Sequence, residues 1–348
     1  MRNAVDCIAP AFDRTRMVMF RPYQWKRWWR IALVGMATAV IGTANGCNLG
    51  GLADFKEAFS RDPKAAELLT KLQSMVPPSQ IAFLLTVLVV GVTLLAFVHI
   101  YVNSVARFMM FDLMTTGAVR IRAGWAKWNA SGLKLFGLQI LLGIFATAIL
   151  SGIGYLFTAG ARSDDSPGPV LAAFFALMAA TWLFSIVVVV FHVVSTDFAV
   201  PIMALEGVSL AEALRRVWRM VAEMPVDFLV YLLMKLVLVI AVSIAMLIIQ
   251  IVLLIIPLVI LFVIMAVIIG AIAGGTNPLA MVALIITGAI VCAALILFLV
   301  AMIAAPTYVF FQGYALEFFS DRYPRLRAAL YPAPPAPTIP PPLPLPAM

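Results

Sequence analysis

The chain is expected to fold as an all-α, polytopic transmembrane helical bundle, with interfacial amphipathic helices and an internal duplication. Three observations carry that expectation. Of its 348 residues, 64% are hydrophobic, whereas soluble domains hold about 45–50%. Charged residues make up 11%, less than half the usual share of about 25%. Several uncharged apolar runs reach roughly 20 residues, the length a helix needs to cross about 30 Å of hydrocarbon. A soluble fold of this composition would expose large apolar patches. Barrel strands alternate in segments of about ten residues, and these runs do not.

Taken in order, the elements begin with a basic-aromatic leader. Arg2, Arg14, Arg16, Arg21, Lys26, Arg27 and Arg30 lie among Tyr23, Trp25, Trp28 and Trp29. Amphipathic rings beside cations favour the membrane–water boundary, so Trp25, Trp28 and Trp29 are expected to anchor a first span at about 31–50. A signal peptide is the rival reading, but its n-region would be shorter. Residues 52–79 form a polar loop with a short surface helix, started by Asp62 and Pro63, braced by Glu67 and Lys71, and ended before Pro77 and Pro78. Spans follow at about 81–105, 134–158 and 170–194, separated by a basic stretch from Arg107 to Lys134 and a turn-rich loop at 159–169.

Residues 208–222 form an amphipathic helix opened by the Ser209/Glu212 capping box. Leu210, Leu214, Val217, Trp218 and Val221 share one face, with Arg215, Arg216 and Arg219 on the other, an arrangement that lies in the headgroup plane. Trp128, Arg215, Arg216, Trp218 and Arg219 join the expected interfacial anchors. The next apolar run, 228–273, would be roughly 69 Å long as one helix, twice the hydrocarbon thickness. It is therefore expected to break near Pro257. A turn at 274–278 leads to the last span, 279–305. Residues 1–330 thus make one polytopic membrane domain of about six spans. The tail at 331–348 is proline-rich and expected to be disordered or polyproline II, with or without a proline-reading partner.

Cation placement sets the expected orientation. Eighteen of the 24 Lys and Arg residues fall on the N-terminal side of a six-span topology. Both termini are then cytoplasmic. A seventh crossing is the alternative, and it would export Arg322, Arg325 and Arg327. The net charge of +8 reports this orientation and calls for no nucleic acid.

No GxSxG, HExxH, Walker A or strand-linked GxGxxG motif occurs, so no enzyme and no cofactor is expected. Two histidines, and three cysteines without a CxxC pair, give no expected metal site. One polar constellation does stand out. His99, Asn103 and Arg107 are spaced i, i+4, i+8 on one helix face. His192 and Thr196 share that spacing, with Asp197 adjacent. Lys235 sits about 10 Å inside its span, one turn after Tyr231. Ionisable groups within spans are site candidates. His99, Asn103, Arg107, His192, Asp197, Tyr231 and Lys235 are therefore the candidate pocket for an anionic lipid headgroup or small anion. The structural alternative has Lys235 snorkelling, the histidines bonding between helices, and Arg107 pairing with Asp197. Gln139 and Gln250 read as interhelical hydrogen-bonding residues.

A shift of 90 residues pairs Phe108 with Phe198, Gly117 with Gly207 and Trp128 with Trp218. Trp28 marks a looser third copy. The segments AFDRTRMVMFRPYQWKRWWRIALVG from Ala11, ARFMMFDLMTTGAVRIRAGWAKW at 106–128, DFAVPIMALEGVSLAEALRRVW at 197–218 and PTYVFFQGYALEFF at 306–319 carry a family resemblance. Together they resemble an uncharacterised group of bacterial and archaeal integral membrane proteins. That group looks related to the membrane domain attached to some glycerophosphodiester phosphodiesterases. The resemblance implies a six-span domain of unknown function in a bacterial plasma membrane. The soluble phosphodiesterase barrel is not among these residues, so its hydrolase activity is not implied. The leading expectation is a non-enzymatic scaffold or accessory subunit of a membrane complex, in contact with anionic lipids and a protein partner. The alternative is a transporter or lipid-handling protein that uses the polar pocket.

Overall fold

A computed structural model describes residues 3–21, 23–38, 78–161, 167–273 and 278–332. Every regular element among them is helical. In chain order these are α1 (Ile8–Phe20), α2 (Trp25–Thr38), α3 (Pro78–Thr116), α4 (Ile121–Ala161), α5 (Pro167–Val194), a π-helical turn (Ser195–Ala199), α6 (Val200–Glu206), α7 (Leu210–Glu223), α8 (Pro225–Ala273), α9 (Pro278–Ser320) and α10 (Pro324–Leu330). Among the described residues five stretches are long and apolar enough to cross a membrane: Val89–Thr116, Ile121–Gly152, Phe174–Glu206, Pro225–Ile251 and Ala294–Ser320. The expected first span enters the described residues only at 31–38. The expected loop helix at 62–76, the turn at 274–277 and the tail from 333 onward lie outside them.

The helices are longer than their apolar runs. Helix α3 continues past residue 105 to Thr116, because Phe108, Met110 and Leu113 beyond that point are buried. Helix α4 starts at Ile121 rather than near 134, and α9 runs through Pro306 to Ser320. Helix α8 is likewise continuous through Pro257, where a break was expected, and its 49 residues extend about 74 Å. A proline removes one backbone donor, while the neighbouring i→i−4 bonds persist. In apolar surroundings keeping those bonds costs less than exposing them.

Packing is concentrated at one end of the bundle. There α1, α2, the C-terminal part of α3, the start of α4, the π-turn, α6, α7, the start of α8, the end of α9 and α10 share one core. Its centre is aromatic. Phe198 stands edge-on to Phe228 at 5.2 Å, and Tyr231 stacks on Phe318 at 4.5 Å and on Tyr314 at 5.4 Å. Such ring pairs add about 0.5–1.5 kcal/mol each beyond their buried area. Away from this end many of the described apolar side chains are exposed, and nothing in the most apolar stretches of α5 and α8 is buried within the chain.

Gly117 and Gly207, paired by the sequence shift, are both left-handed, with φ of 71° and 66°. Each closes the helix before it, through N–H bonds to Leu113 O (2.9 Å) and Met203 O (3.0 Å). Those carbonyl residues are separated by the same interval as the glycines. Two turns of identical hand therefore lead the chain from α3 into α4 and from α6 into α7.

Candidate functional site

The polar cluster lies where the packed end meets the exposed apolar stretches. Asp197 is buried within the π-helical turn that interrupts the path from α5 to α6, a distortion that often marks functional positions. Its Oδ2 accepts the Tyr231 hydroxyl proton at 2.7 Å and is ion-paired to the Lys235 ammonium. Tyr231 and Lys235 are one turn apart on α8, so both reach the same carboxylate. The Lys235 ammonium also stands 5.8 Å from the Tyr231 ring centroid.

Arg107, on α3, donates from Nε to Asn103 Oδ1 at 3.0 Å, one turn back. Gln139 of α4 donates to the same oxygen at 3.5 Å, and its Oε1 accepts from Ser104 Oγ at 3.3 Å. Gln139 therefore has the interhelical role expected of it. The expected direct pair between Arg107 and Asp197 does not form, because Lys235 takes the carboxylate. Among the described residues Arg107 has no ion pair within 4.0 Å. His192, near the end of α5, accepts at its backbone oxygen from Thr196 Oγ1 (2.8 Å). Its Nε2 is buried without a hydrogen-bond partner, as is Ser195 Oγ in the next turn. Arg107, Asp197 and Lys235 all lie close enough to His192 to act on it electrostatically. His99 is half-buried and lies two turns from Arg107, about 12 Å along the α3 axis. The cluster thus gathers two cations and one anion from three elements, in a region of low polarity where each charge matters more than in water.

Two further ionic knots were missed in the sequence. Arg14 Nε donates to Glu317 Oε1 at 2.9 Å and its Nη1 to Met114 O at 3.2 Å. The Tyr331 hydroxyl lies 2.9 and 2.8 Å from the two Glu317 carboxylate oxygens, and the Arg14 guanidinium covers the Tyr331 ring at 5.1 Å. At the second knot Glu206 holds Arg216 and the Tyr323 hydroxyl, with Arg325 at 3.3 Å. A signal for the first knot was present. Arg107–Phe108, Asp197–Phe198 and Glu317–Phe318 each place a charged residue before a fully buried Phe.

Outside the spans, electrostatics follow the same contacts. The hydrogen bond from Arg216 holds the Glu212 carboxyl below its ordinary value, and bonds to Glu212 and Glu206 raise the Arg216 guanidinium. Burial, then the bond to Glu206, raises the Tyr323 phenol.

The expected anchors divide. Trp25 is exposed, as are Arg215 and Arg219, whereas Trp28 is partly buried and donates to Met302 O at 3.1 Å. Trp29 is half-buried under Arg30, whose guanidinium lies 5.7 Å from its ring. Trp218 is 62% exposed and shares the outer face of α7 with Arg215 and Arg219. It does not join the apolar side, because Ala213 and Val217 are the residues that pack inward. Trp128, its counterpart in the repeat, is only 8% exposed. It stacks on Phe108 at 5.4 Å with Lys127 4.4 Å from its ring, so it is a core residue rather than an anchor. Among the described residues no His, Cys, Asp and Glu grouping could hold a metal ion.

The model of a family of unknown function (DUF7544) matches residues 2–329, and the chain belongs to that family. No curated protein and no solved structure matches it.

Proposed function

We propose that this member of the DUF7544 family is a non-enzymatic scaffold or accessory subunit of a complex in the bacterial plasma membrane, with both termini cytoplasmic. The observation that carries this reading is the outward-facing surface of the spans. Helices in lipid associate through close packing and small residues rather than through hydrophobicity. Here Gly143, Thr147 and Ser151 form an exposed stripe at i, i+4, i+8 on α4. A Cβ built on Gly143 would meet nothing within 4 Å. Such a stripe suits close approach by a helix of another chain, while the packed end keeps the spans in place. The resemblance to a membrane domain that accompanies a separate catalytic barrel points the same way. The excess of cations on the N-terminal side supports the orientation.

The test is purification of the full chain in mild detergent, wild type against Gly143→Leu, with size determination and mass spectrometry of what co-purifies. A stoichiometric membrane-protein partner that Gly143→Leu releases, at unchanged folded yield, is the expected result. A chain that remains alone, or a partner retained by Gly143→Leu, overturns the reading as built on this face. The transporter or lipid-handling reading is favoured by a different observation, the charge cluster around Arg107.

A further inference from the structure

We infer that Arg107, His192 and Lys235 form a binding site for a phosphate-type oxyanion, entered from the side where the spans diverge. The site is independent of the accessory-subunit reading. The argument begins with unequal pairing. Lys235 is neutralised by Asp197, which also accepts from Tyr231. Arg107 uses its Nε on the neutral Asn103 and has no ion pair among the described residues. Its charge lies near the Asp197 carboxylate without touching it. An ionised guanidinium in low-polarity surroundings is costly unless an anion compensates it. The planar fork of Arg suits a tetrahedral or planar oxyanion, which it grips in two places.

His192 is the second, separate sign. Its Nε2 is buried, has no partner, and sits among these same charges. An oxyanion bound to Arg107 gives that nitrogen an acceptor in the tautomer that carries the proton on Nε2. With two cations and one carboxylate, the cluster carries one uncompensated positive charge for the ligand to meet. Each contributing residue lies inside a candidate span but at its packed end. A lipid phosphate can therefore approach laterally, and a free anion from the aqueous side.

The experiment takes the full chain in non-ionic detergent after delipidation. Wild type is compared with Arg107→Gln, His192→Phe and, as an exposed control, Arg327→Gln. Two probes are titrated: phosphatidylglycerol, followed by native mass spectrometry, and inorganic phosphate, followed by thermal shift. Wild type and Arg327→Gln should bind at least one probe, and Arg107→Gln should weaken that binding about tenfold or more, the effect of losing a charged hydrogen bond. Lipid retention alone identifies a headgroup as the ligand, whereas a saturable phosphate shift identifies a free anion. If Arg107→Gln does not fold, His192→Phe decides, since it leaves the bond from Arg107 to Asn103 and the Asp197 pair in place. The inference is overturned if wild type binds neither probe, or if the site variants bind as wild type does.

Discussion

Arg14 and Glu317, 303 residues apart in sequence, meet through a 2.9 Å charged hydrogen bond that ties α1 to the end of α9. The carboxylate is fully buried and the arginine side chain only 10% exposed. Removing one member leaves the other charged and uncompensated in the core, which costs about 3–5 kcal/mol. Glu317→Gln should therefore lower the melting temperature in detergent sharply. The double variant Arg14→Met with Glu317→Leu should be less damaging than Glu317→Gln alone, because it removes both charges. A thermal melt followed by far-UV circular dichroism compares them. Equal losses in both would show that the charge balance is not what matters.

Helices α3 and α4 approach closely at Gly132. A Cβ there would stand 2.5 Å from Val105 Cγ2 and 3.0 Å from Val105 Cα. The second contact is backbone and cannot rotate away, so Gly132→Ala forces the helices apart, at about 1–3 kcal/mol. At Gly137 on the same helix, an added Cβ meets nothing within 4 Å. Gly137→Ala should leave stability unchanged or raise it by up to about 1 kcal/mol, from the lower backbone entropy of the unfolded state. Chemical denaturation of the two variants side by side distinguishes a tight crossing from a loose one.

The brace on α7 has a direction in pH. Arg216 holds the Glu212 carboxyl below the ordinary value of about 4.3. A depressed carboxyl contributes stability above that value and loses it as pH falls through the lowered one. Wild type should therefore exceed Glu212→Gln in melting temperature at neutral pH. The gap should close as the pH drops through the lowered value. Because the pair is exposed, the gap will be small and should shrink in high salt. A gap that widens on acidification would reverse the assigned sign.

Much of this architecture was legible from residue order, for reasons that vary by element. The apolar runs announced helices because lipid demands internally bonded backbone, and the family match and the five candidate spans agree with that class. Helical spacing placed Tyr231 beside Lys235, and the repeat placed Gly117 opposite Gly207. Helix ends were less visible. Residues 107–116 look polar enough for a boundary, yet their apolar members are buried in the core that α3 shares with α2, α4, α6 and α9, and that packing prolongs α3. The partner of Lys235 was also hidden. Asp197 was foreseen beside Arg107, but the added residue of a π-turn changes which side chains share a face. Trp128 and Trp218 match in sequence and differ in burial because only Trp128 has Phe108 to stack on. Glu317 was overlooked since its partner lies at the opposite end of the chain.

The concentration of packing at one end has a mechanical consequence. Spans that press on one another along their whole length must move together when a bilayer thins or thickens. Here nothing in the most apolar stretches of α5 and α8 is buried within the chain, and α5 meets α4 there through the Phe145 and Phe184 rings at 6.2 Å, so loosely held helices can change their tilt at fractions of a kcal/mol per Å of mismatch. The aromatic core and the Asp197–Lys235 pair sit at the pivot of that motion. Membrane thickness is thereby absorbed by leaning helices, and the charge cluster keeps its geometry from one lipid composition to another.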